Sequence, residues 1–543
     1  MSEQARRPDP RITFAACVVI ALGVWLRFWG MSTCELWADE AWWANKLVEG
    51  EVGWIRPPGY MWLTRQIIAV ENTELTLRSL SMIAALLQLP LFFALMRRVV
   101  QPWIAVAATF VLAVQPAAVA FAKEFKPYAL ESCLHTGLLL LAVSYVLRPR
   151  TITLLGLVIV AAVAPPLSWS TVFVFPGLFL AVGLVALKSQ RRADLALTVA
   201  GVVVTLAVLA VIFALRLRAA NPHPEYWGKA YGVFYVGDSV TEHIAWYLRH
   251  TAELLAFPGR LRLWWGALPK FEPTSMVLGI LGLGVLLAAV RKGRPASLWA
   301  LLFVLPWGVF LGFNLAGQWP WGVFRTNVFM LGYALALAAF GLDAVYAIAR
   351  RRGGRAGGVV VVIVTTLLLA QALPVQPDQF QCKGAGTMAL NASVWRALRL
   401  LQGTIGRPDH KVTIAVDGQA CSALTYYRQY HAVARDELAA FLQPPVEVRC
   451  STGRDPGWEK LLEEVMAGPD SFWVIVGKRH TSRMVEARLP HGCTHSLKRK
   501  LRGTWVYWCG RSDDPVPVFS GTPPPPLSTT TEPADADAAP LKD

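Results

Sequence analysis

Apolar runs of bilayer length, separated by short basic clusters, recur through the first 373 residues of this 543-residue chain. A helix needs about 20 apolar residues to cross the hydrocarbon core, and an open chain crosses it only as helices that satisfy their own backbone groups. Eleven spans are predicted, at approximately 13–30, 79–96, 103–121, 129–147, 152–167, 171–187, 195–215, 274–290, 296–313, 326–349 and 357–373. Hydrophobic residues make up 55% of the chain and charged residues 16%, too apolar a balance for a soluble protein of this size. The 22 tryptophans fit the same class, because Trp anchors helices at membrane interfaces.

The net charge of +16 raises nucleic-acid binding as a possibility, but its distribution argues against it. Basic residues cluster between the apolar runs, at Arg97-Arg98, Arg148 and Arg150, Lys188 to Arg192, Arg291 to Arg294 and Arg350 to Arg352. No tract joins a basic patch to a recognition module. Such clusters mark the cytoplasmic side, and with Arg6, Arg7 and Arg11 they place the N-terminus inside. The loops 31–78, 122–128, 216–273 and 314–325, and everything after 373, then lie outside. The first apolar run is too long for a cleavable signal and lacks a small-residue cleavage site, so it reads as a retained helix. The predicted setting is a plasma membrane, a bacterial inner membrane by composition.

Beyond 373 the material changes. Strand-like KVTIAV, FWVIVGK and TWVYWC alternate with helix-like 395–405 and 457–467, predicting a small extracytosolic α/β domain over 374–512. Five of eight cysteines lie here, enough for two disulfides with one left over for Cys34 or a free thiol. Residues 513–543 read as a disordered Pro/Thr/Ala tail. Within 216–273, Val240, Ile244, Tyr247, Leu248 and Leu255 share one helical face, the pattern of a helix lying in the membrane surface. The whole is a polytopic α-helical membrane protein with a 1–373 membrane domain.

Three outer segments hold the candidate chemistry. LWADEAWW (36–43) carries Asp39 and Glu40, and Arg56-Pro57-Pro58-Gly59-Tyr60 follows it. Lys123-Glu124-Phe125-Lys126-Pro127-Tyr128 is the second, and Arg325 is the third. A carboxylate at the water–lipid boundary can serve as general base or hold a divalent cation such as Mg or Mn beside a phosphate. Arg and Lys supply a phosphate clamp, and aromatics offer faces to sugar rings. Taken singly, each has a blander reading: a solvated turn for Asp39-Glu40, a weak surface pair for Glu124, interfacial anchors for Arg56 and Arg325, and belt residues for Tyr60 and Tyr128.

As a set they match a pattern: W-A-D-E-A-x-x-A at 37–44, Pro-Pro-x-Tyr at 57–60, L-R-S-L-S at 77–81 and K-E-x-K-P-Y at 123–128. In order and topology, roughly residues 10–350 resemble the polyprenol-phosphate-sugar-dependent GT-C glycosyltransferases, near the protein O-mannosyltransferase and aminoarabinose transferase groups. The resemblance implies Asp39 as catalytic base with Glu40 as its companion, and Glu124 on a metal or the donor phosphate, with Asp39 and Glu124 as its candidate metal ligands. It implies Arg56, Lys126 and Arg325 on the donor phosphate, with Tyr60 and Tyr128 near substrate. Lys126 stands where an arginine is usual, which puts bidentate phosphate recognition there in doubt. Arg56 stands where a histidine or lysine is usual. By analogy the C-terminal domain would cover the outer face and shape acceptor access.

The implied partners are a polyprenyl-phosphate-sugar donor, a lipid, glycan or protein acceptor, and membrane lipids. No nucleotide-sugar pocket is needed, and no G-x-G-x-x-G loop suited to one is present. Rival readings are a transporter or flippase of lipid-linked glycans, a transferase of a whole oligosaccharide or of a non-sugar phosphoryl group, and a membrane-anchored assembly protein. A transporter would show internal repeats and ionisable residues inside its spans, whereas here the acids sit at span ends.

Overall fold

Proline and short capping side chains set where the helices begin. The computed structural model describes residues 9–29, 31, 35–36, 38–50, 57–215, 234–235, 237, 239–256, 273–291, 297–322, 325–352, 355–372, 394–405, 411–431, 434–439, 441–451, 455–468, 470–477, 479–493, 495–501, 504–510 and 517. The chain divides into two units, one of residues 1–391 with 425–433, the other of 392–424 with 434–543.

In the first unit the helices are α1 (Pro10–Phe28), α2 (Ala38–Val48), α3 (Pro58–Ile68), α4 (Glu74–Val99), α5 (Pro102–Val114), α6 (Pro116–Ala122), α7 (Tyr128–Leu147) and α8 (Thr151–Leu167). They continue as α9 (Phe175–Lys188), α10 (Arg192–Leu215), α11 (Val240–Leu255), α12 (Pro273–Arg291), α13 (Ser297–Phe303), α14 (Leu305–Leu315), α15 (Met330–Arg352) and α16 (Arg355–Ala372). Short 3-10 turns cover Trp169–Phe173 and Arg325–Asn327.

Local chemistry explains several boundaries. Asp9 accepts from the Arg11 amide ahead of Pro10 in α1, and Thr73 and Thr76 form a reciprocal cap on α4. Pro116 has no amide hydrogen to give α5, so the helix stops at Val114, and the Gln115 side chain accepts from the Ala118 amide at 3.0 Å to start α6. The two helices meet at a bend of 57°.

Close packing in this unit uses small residues. A side chain at Gly282 on α12 would collide with the Leu337 carbonyl of α15, and one at Gly341 on α15 with the Leu278 carbonyl of α12, so these helices cross with their backbones in contact. A Cβ at Gly23 would lie 2.7 Å from Leu89 and 2.9 Å from Ala113, which holds α1 against α4 and α5.

Nine predicted spans each fall on one apolar helix, and 103–121 and 296–313 each fall on a pair, α5–α6 and α13–α14. Seven described helices (counting the α13–α14 pair, Ser297–Leu315, as one) are long and apolar enough to cross a membrane, or eight if the bent α5–α6 pair is one span. The predicted eleven is therefore not reached by length. The remaining three segments, Thr151–Leu167, Phe175–Lys188 and Gly357–Ala370, are apolar but shorter. The chain is a multi-pass membrane protein. Helix α11 forms as predicted, but its apolar face divides: Val240, Ile244 and Leu248 are exposed, whereas Leu254 and Leu255 are buried.

The second unit is α/β. Five strands, β1 (Val412–Val416), β2 (Val446–Cys450), β3 (Phe472–Val476), β4 (His495–Leu501) and β5 (Thr504–Gly510), form one sheet in the order β2-β1-β3-β5-β4. β1 runs parallel to β2 and β3, and β5 runs antiparallel to β3 and β4. β1, β3 and β5 are buried along their whole length and read as continuous apolar runs. Asp417 ends β1 and accepts from the Ala420 and Gly477 amides, capping the following helix, α18 (Gly418–Gln429), and tying it to the end of β3; α17 (Val394–Ile405) precedes β1. The two expected disulfides are Cys421–Cys450 and Cys493–Cys509. Cys382, Cys34 and the 518–543 part of the predicted tail lie outside the described residues.

Candidate active site

Adjacent residues on a helix point about 100° apart, and α2 uses that to give Asp39 and Glu40 different surroundings. Glu40 turns inward and is 1% exposed. Arg78 of α4 grips it as a fork, Nε to Oε1 at 3.0 Å and Nη2 to Oε2 at 2.7 Å, while Nη2 also donates to the Glu35 carbonyl at 3.0 Å. The Phe125 amide donates to Glu40 Oε1 at 2.5 Å. One carboxylate thus joins the start of α2, the second turn of α4 and the segment between α6 and α7. A buried carboxylate is tolerated only with such a complete set of donors.

Asp39 keeps its side chain 24% exposed and meets the Lys126 ammonium at 3.1 Å. Lys126 is itself buried, lies 3.7 Å over the Trp43 ring and is 3.4 Å from the Asp39 carbonyl. Its own backbone carbonyl accepts from Ser81 at 2.6 Å, and Ser81 is within 3.1 Å of the Tyr60 hydroxyl. Phe125 packs between Tyr60 and Trp43, stacked on the first and edge-on to the second. The 123–128 segment is therefore held from both sides by the motif residues around it.

Lys123 donates to the Trp29 carbonyl at 2.5 Å. Burial, with Arg27 nearby, pushes its pKa down to about 7. Arg27 is buried too and donates to the Gly23 and Ala113 carbonyls at 2.9 and 3.1 Å. In this part of the unit the buried cations Arg27, Arg78, Lys123 and Lys126 lie among the carboxylates of Asp39, Glu40, Glu74 and Glu124.

The residues named from the sequence fare differently. Asp39, Glu40 and Lys126 come together. Glu124 is buried in the same segment. Tyr60 and Tyr128 are core residues, 0% and 7% exposed, and burial pushes the Tyr60 phenol up; both pack against phenylalanines within the unit. Arg56 lies outside the described residues. Arg325 opens the 3-10 turn Arg325–Asn327, and only its backbone is described. The interaction that sequence reading missed is Arg78 on Glu40. Its only signal was L-R-S-L-S, an arginine just inside an apolar run.

The donor set does not make a metal site. Asp39 already faces an ammonium, and among the described residues no group of three or more His, Cys, Asp or Glu side chains gathers to hold an ion.

No protein-family model and no curated protein matches the chain. Solved structures similar to it include ArnT from Cupriavidus metallidurans in the apo state, 13% identical, covering 91% of this chain and 98% of that one at a TM-score of 0.48. The same ArnT bound to undecaprenyl phosphate is 14% identical and covers 93% and 99%, at 0.46. The Archaeoglobus fulgidus oligosaccharyltransferase in the apo form is 13% identical and covers 86% and 70%, at 0.48. These are likenesses of the chain, whose standing as a multi-pass membrane protein comes from its own apolar helices.

Proposed function

We propose that this protein is an integral-membrane glycosyltransferase that moves a sugar from a polyprenyl-phosphate-linked donor to an acceptor on the extracytosolic face, with inversion. The observation that carries the reading is Asp39: of the acids assembled by the motif segments, it keeps a partly exposed carboxylate beside a buried cation, Lys126. That pairing supports the reading, because a carboxylate able to take a proton beside a cation able to hold a phosphate is what a displacement at an anomeric carbon needs.

In the proposed step the acceptor oxygen forms a bond to the anomeric carbon. The bond from that carbon to the phosphate oxygen breaks, and its electron pair leaves with the polyprenyl phosphate. The acceptor proton passes to Asp39. Lys126, with Arg56 and Arg325, takes the charge growing on the departing phosphate, which lowers the barrier only insofar as these contacts strengthen during departure. Glu40 positions this machinery through Arg78 and the Phe125 amide rather than touching substrate. Glu124 belongs to the same segment and sets its charge balance. No metal step is included, because the residues present do not fit one.

The sugar is a hexose or pentose, and the acceptor is a lipid, glycan or protein. The extracytosolic assignment of the site and of the second unit is part of the same proposal and rests on the basic clusters between spans, and the 1–373, 374–512 and 513–543 division, also proposed, rests on where the apolar runs end and where the Pro/Thr/Ala-rich stretch begins. The test is transfer of radiolabelled sugar from polyprenyl-phosphate donors into a membrane extract, comparing wild type with Asp39→Asn. Loss of a general base typically costs about 10²- to 10⁴-fold. The reading expects labelled product from wild type and a drop of that order in the folded variant. Equal transfer by both proteins would remove Asp39 from the chemistry, and no transfer by wild type from a broad donor panel would turn the reading toward a flippase.

A further inference from the structure

Residues 425–433 belong to the first unit, although the chain on either side of them belongs to the second. Within this stretch Tyr427, near the end of α18, and His431, just beyond it, share one carboxylate. The Tyr427 hydroxyl donates to Glu74 Oε1 at 2.9 Å, and His431 Nε2 lies 2.7 Å from Glu74 Oε2. An ionised carboxylate only accepts, so Nε2 carries the hydrogen. Beside them the Tyr426 hydroxyl donates to Asn72 at 3.0 Å. The three rings are buried and pack on one another, with centroids 5.3 to 5.7 Å apart.

Both contacts lead to the candidate site. While it donates to Glu74, the Tyr427 hydroxyl accepts from the Leu36 amide at 2.9 Å. Leu36 opens LWADEAWW, three residues ahead of Asp39. The carbonyl of that same peptide unit, on Glu35, accepts from Arg78 at 3.0 Å. One peptide at the entry to the motif is thus matched on both its polar atoms, by Arg78 on one and by Tyr427 on the other. Glu74 stands one helical turn before Arg78 on α4, and its charge acts on that guanidinium. Arg78 therefore feels two carboxylates, Glu40 in its fork and Glu74, and Tyr427 and His431 hold the second of them.

We infer that Tyr427 and His431 are positioning residues for Asp39, Tyr427 acting through the Glu35–Leu36 peptide and His431 through Glu74 and Arg78. The inference rests on the reading of Asp39 as the base given above. A base must sit within hydrogen-bond reach of the proton it takes, and a misplacement of about 1 Å can cost about a hundredfold in rate. Asp39 lies between two fixed points, the 35–36 peptide before it and the Glu40 carboxylate after it. The backbone that carries it is held in part by side chains nearly 400 residues further along the chain, at sequence separations of 391 for Leu36–Tyr427 and 357 for Glu74–His431.

The experiment uses full-length protein in nanodiscs. It measures kcat and donor KM with the polyprenyl-phosphate sugar that labels the membrane extract, and hydrogen exchange of the backbone amides over residues 36–48. Tyr427→Phe keeps the ring and loses both bonds. His431→Gln keeps an N–H donor, and His431→Leu removes it. Tyr427→Phe is expected to lower kcat roughly tenfold, the scale of about one net hydrogen bond, with donor KM changed less than about twofold. Exchange over 36–48 should quicken by a similar factor. His431→Leu should act in the same direction, and His431→Gln should recover about half of the wild-type kcat or more. In an Asp39→Asn background Tyr427→Phe should change the residual rate by less than about twofold, because a residue acting through another adds nothing once that other is gone.

The same loss in the Asp39→Asn background as in wild type would overturn the inference, and so would a fall in kcat with exchange over 36–48 unchanged. Unchanged kcat in Tyr427→Phe and His431→Leu beside a strong loss in Asp39→Asn also overturns it, and leaves the base reading standing. Transfer by Asp39→Asn equal to that of wild type, or no transfer by wild type, removes both. If Tyr427→Phe does not fold, the two His431 variants decide: equal kcat in Gln and Leu overturns the inference.

Discussion

Glu40 and Glu447 each hold an arginine at 2.7 Å, yet they belong to opposite electrostatic regimes. The Glu40–Arg78 pair is 1% and 2% exposed by side chain, and the Glu447–Arg449 pair is 37% and 39% exposed, with Lys411 also at 2.8 Å from Glu447. The shortest distance is the same, but Glu40 is held by a two-bond fork out of water and Glu447 by a single Nε contact in it. Around Glu447 solvent screens most of the attraction, and such pairs are worth about 0–1 kcal/mol. At Glu40 the two ions have already lost their hydration, and each depends on the other to make that loss tolerable. The same shortest distance thus marks a surface pair in one place and, with a two-bond fork and an amide added, a structural joint in the other.

The largest effect should come from breaking the buried joint on one side. Arg78→Ala leaves Glu40 buried without its counter-charge, and is expected to cost about 3–5 kcal/mol; thermal unfolding in detergent would show it, with sugar transfer lost as well. Replacing both partners sharpens the point. Glu40→Leu with Arg78→Met should recover most of that stability, because apolar replacement of a buried pair is often neutral. It should still transfer poorly, because the Phe125 amide has lost its acceptor and the 123–128 segment its register. Recovery of both properties would make the pair a packing feature alone.

Lys123 offers a pH version of the same contrast. Its folded pKa, down at about 7, lies below that of an ordinary lysine, so the unfolded chain holds the extra proton between pH 7 and the usual lysine range. Its contribution to stability therefore rises across that window and is flat below it. Lys123→Met should remove that rise, which melting curves collected from pH 7 to 10 would reveal. The smallest effect belongs to Glu447. Arg449 and Lys411 hold its pKa down to about 2, so its contribution is present at neutral pH and is lost as pH falls through the acid range toward that value. Glu447→Gln should change stability at pH 7 by less than about 1 kcal/mol, and a loss on the Arg78→Ala scale would abolish the distinction between the two pairs.

Much of this was legible in the sequence. Apolar runs located the spans because period and length are local properties, and Pro116 announced the break in the 103–121 run that the reading had taken as one continuous helix. The short motifs brought Asp39, Glu40 and the 123–128 segment to one place. Their division of labour was not legible. Which of two neighbouring acids turns inward depends on Arg78, 38 residues further along the chain, and on an amide beyond that, neither of which leaves a periodic trace. Tyr60 and Tyr128 show the same limit: an aromatic at a span end reads as a belt or a substrate face, and only packing reveals a core residue. The α11 stripe divided for a similar reason, since periodicity identifies an apolar face but not what covers each part of it.

On the proposed chemistry, the Asp39–Lys126 contact also couples two events. While no donor is bound, the Lys126 ammonium has the Asp39 carboxylate as its counter-ion. A lipid phosphate arriving at Lys126 would compete with that carboxylate for the same ammonium, so that seating the leaving group and freeing the carboxylate are one exchange of partners.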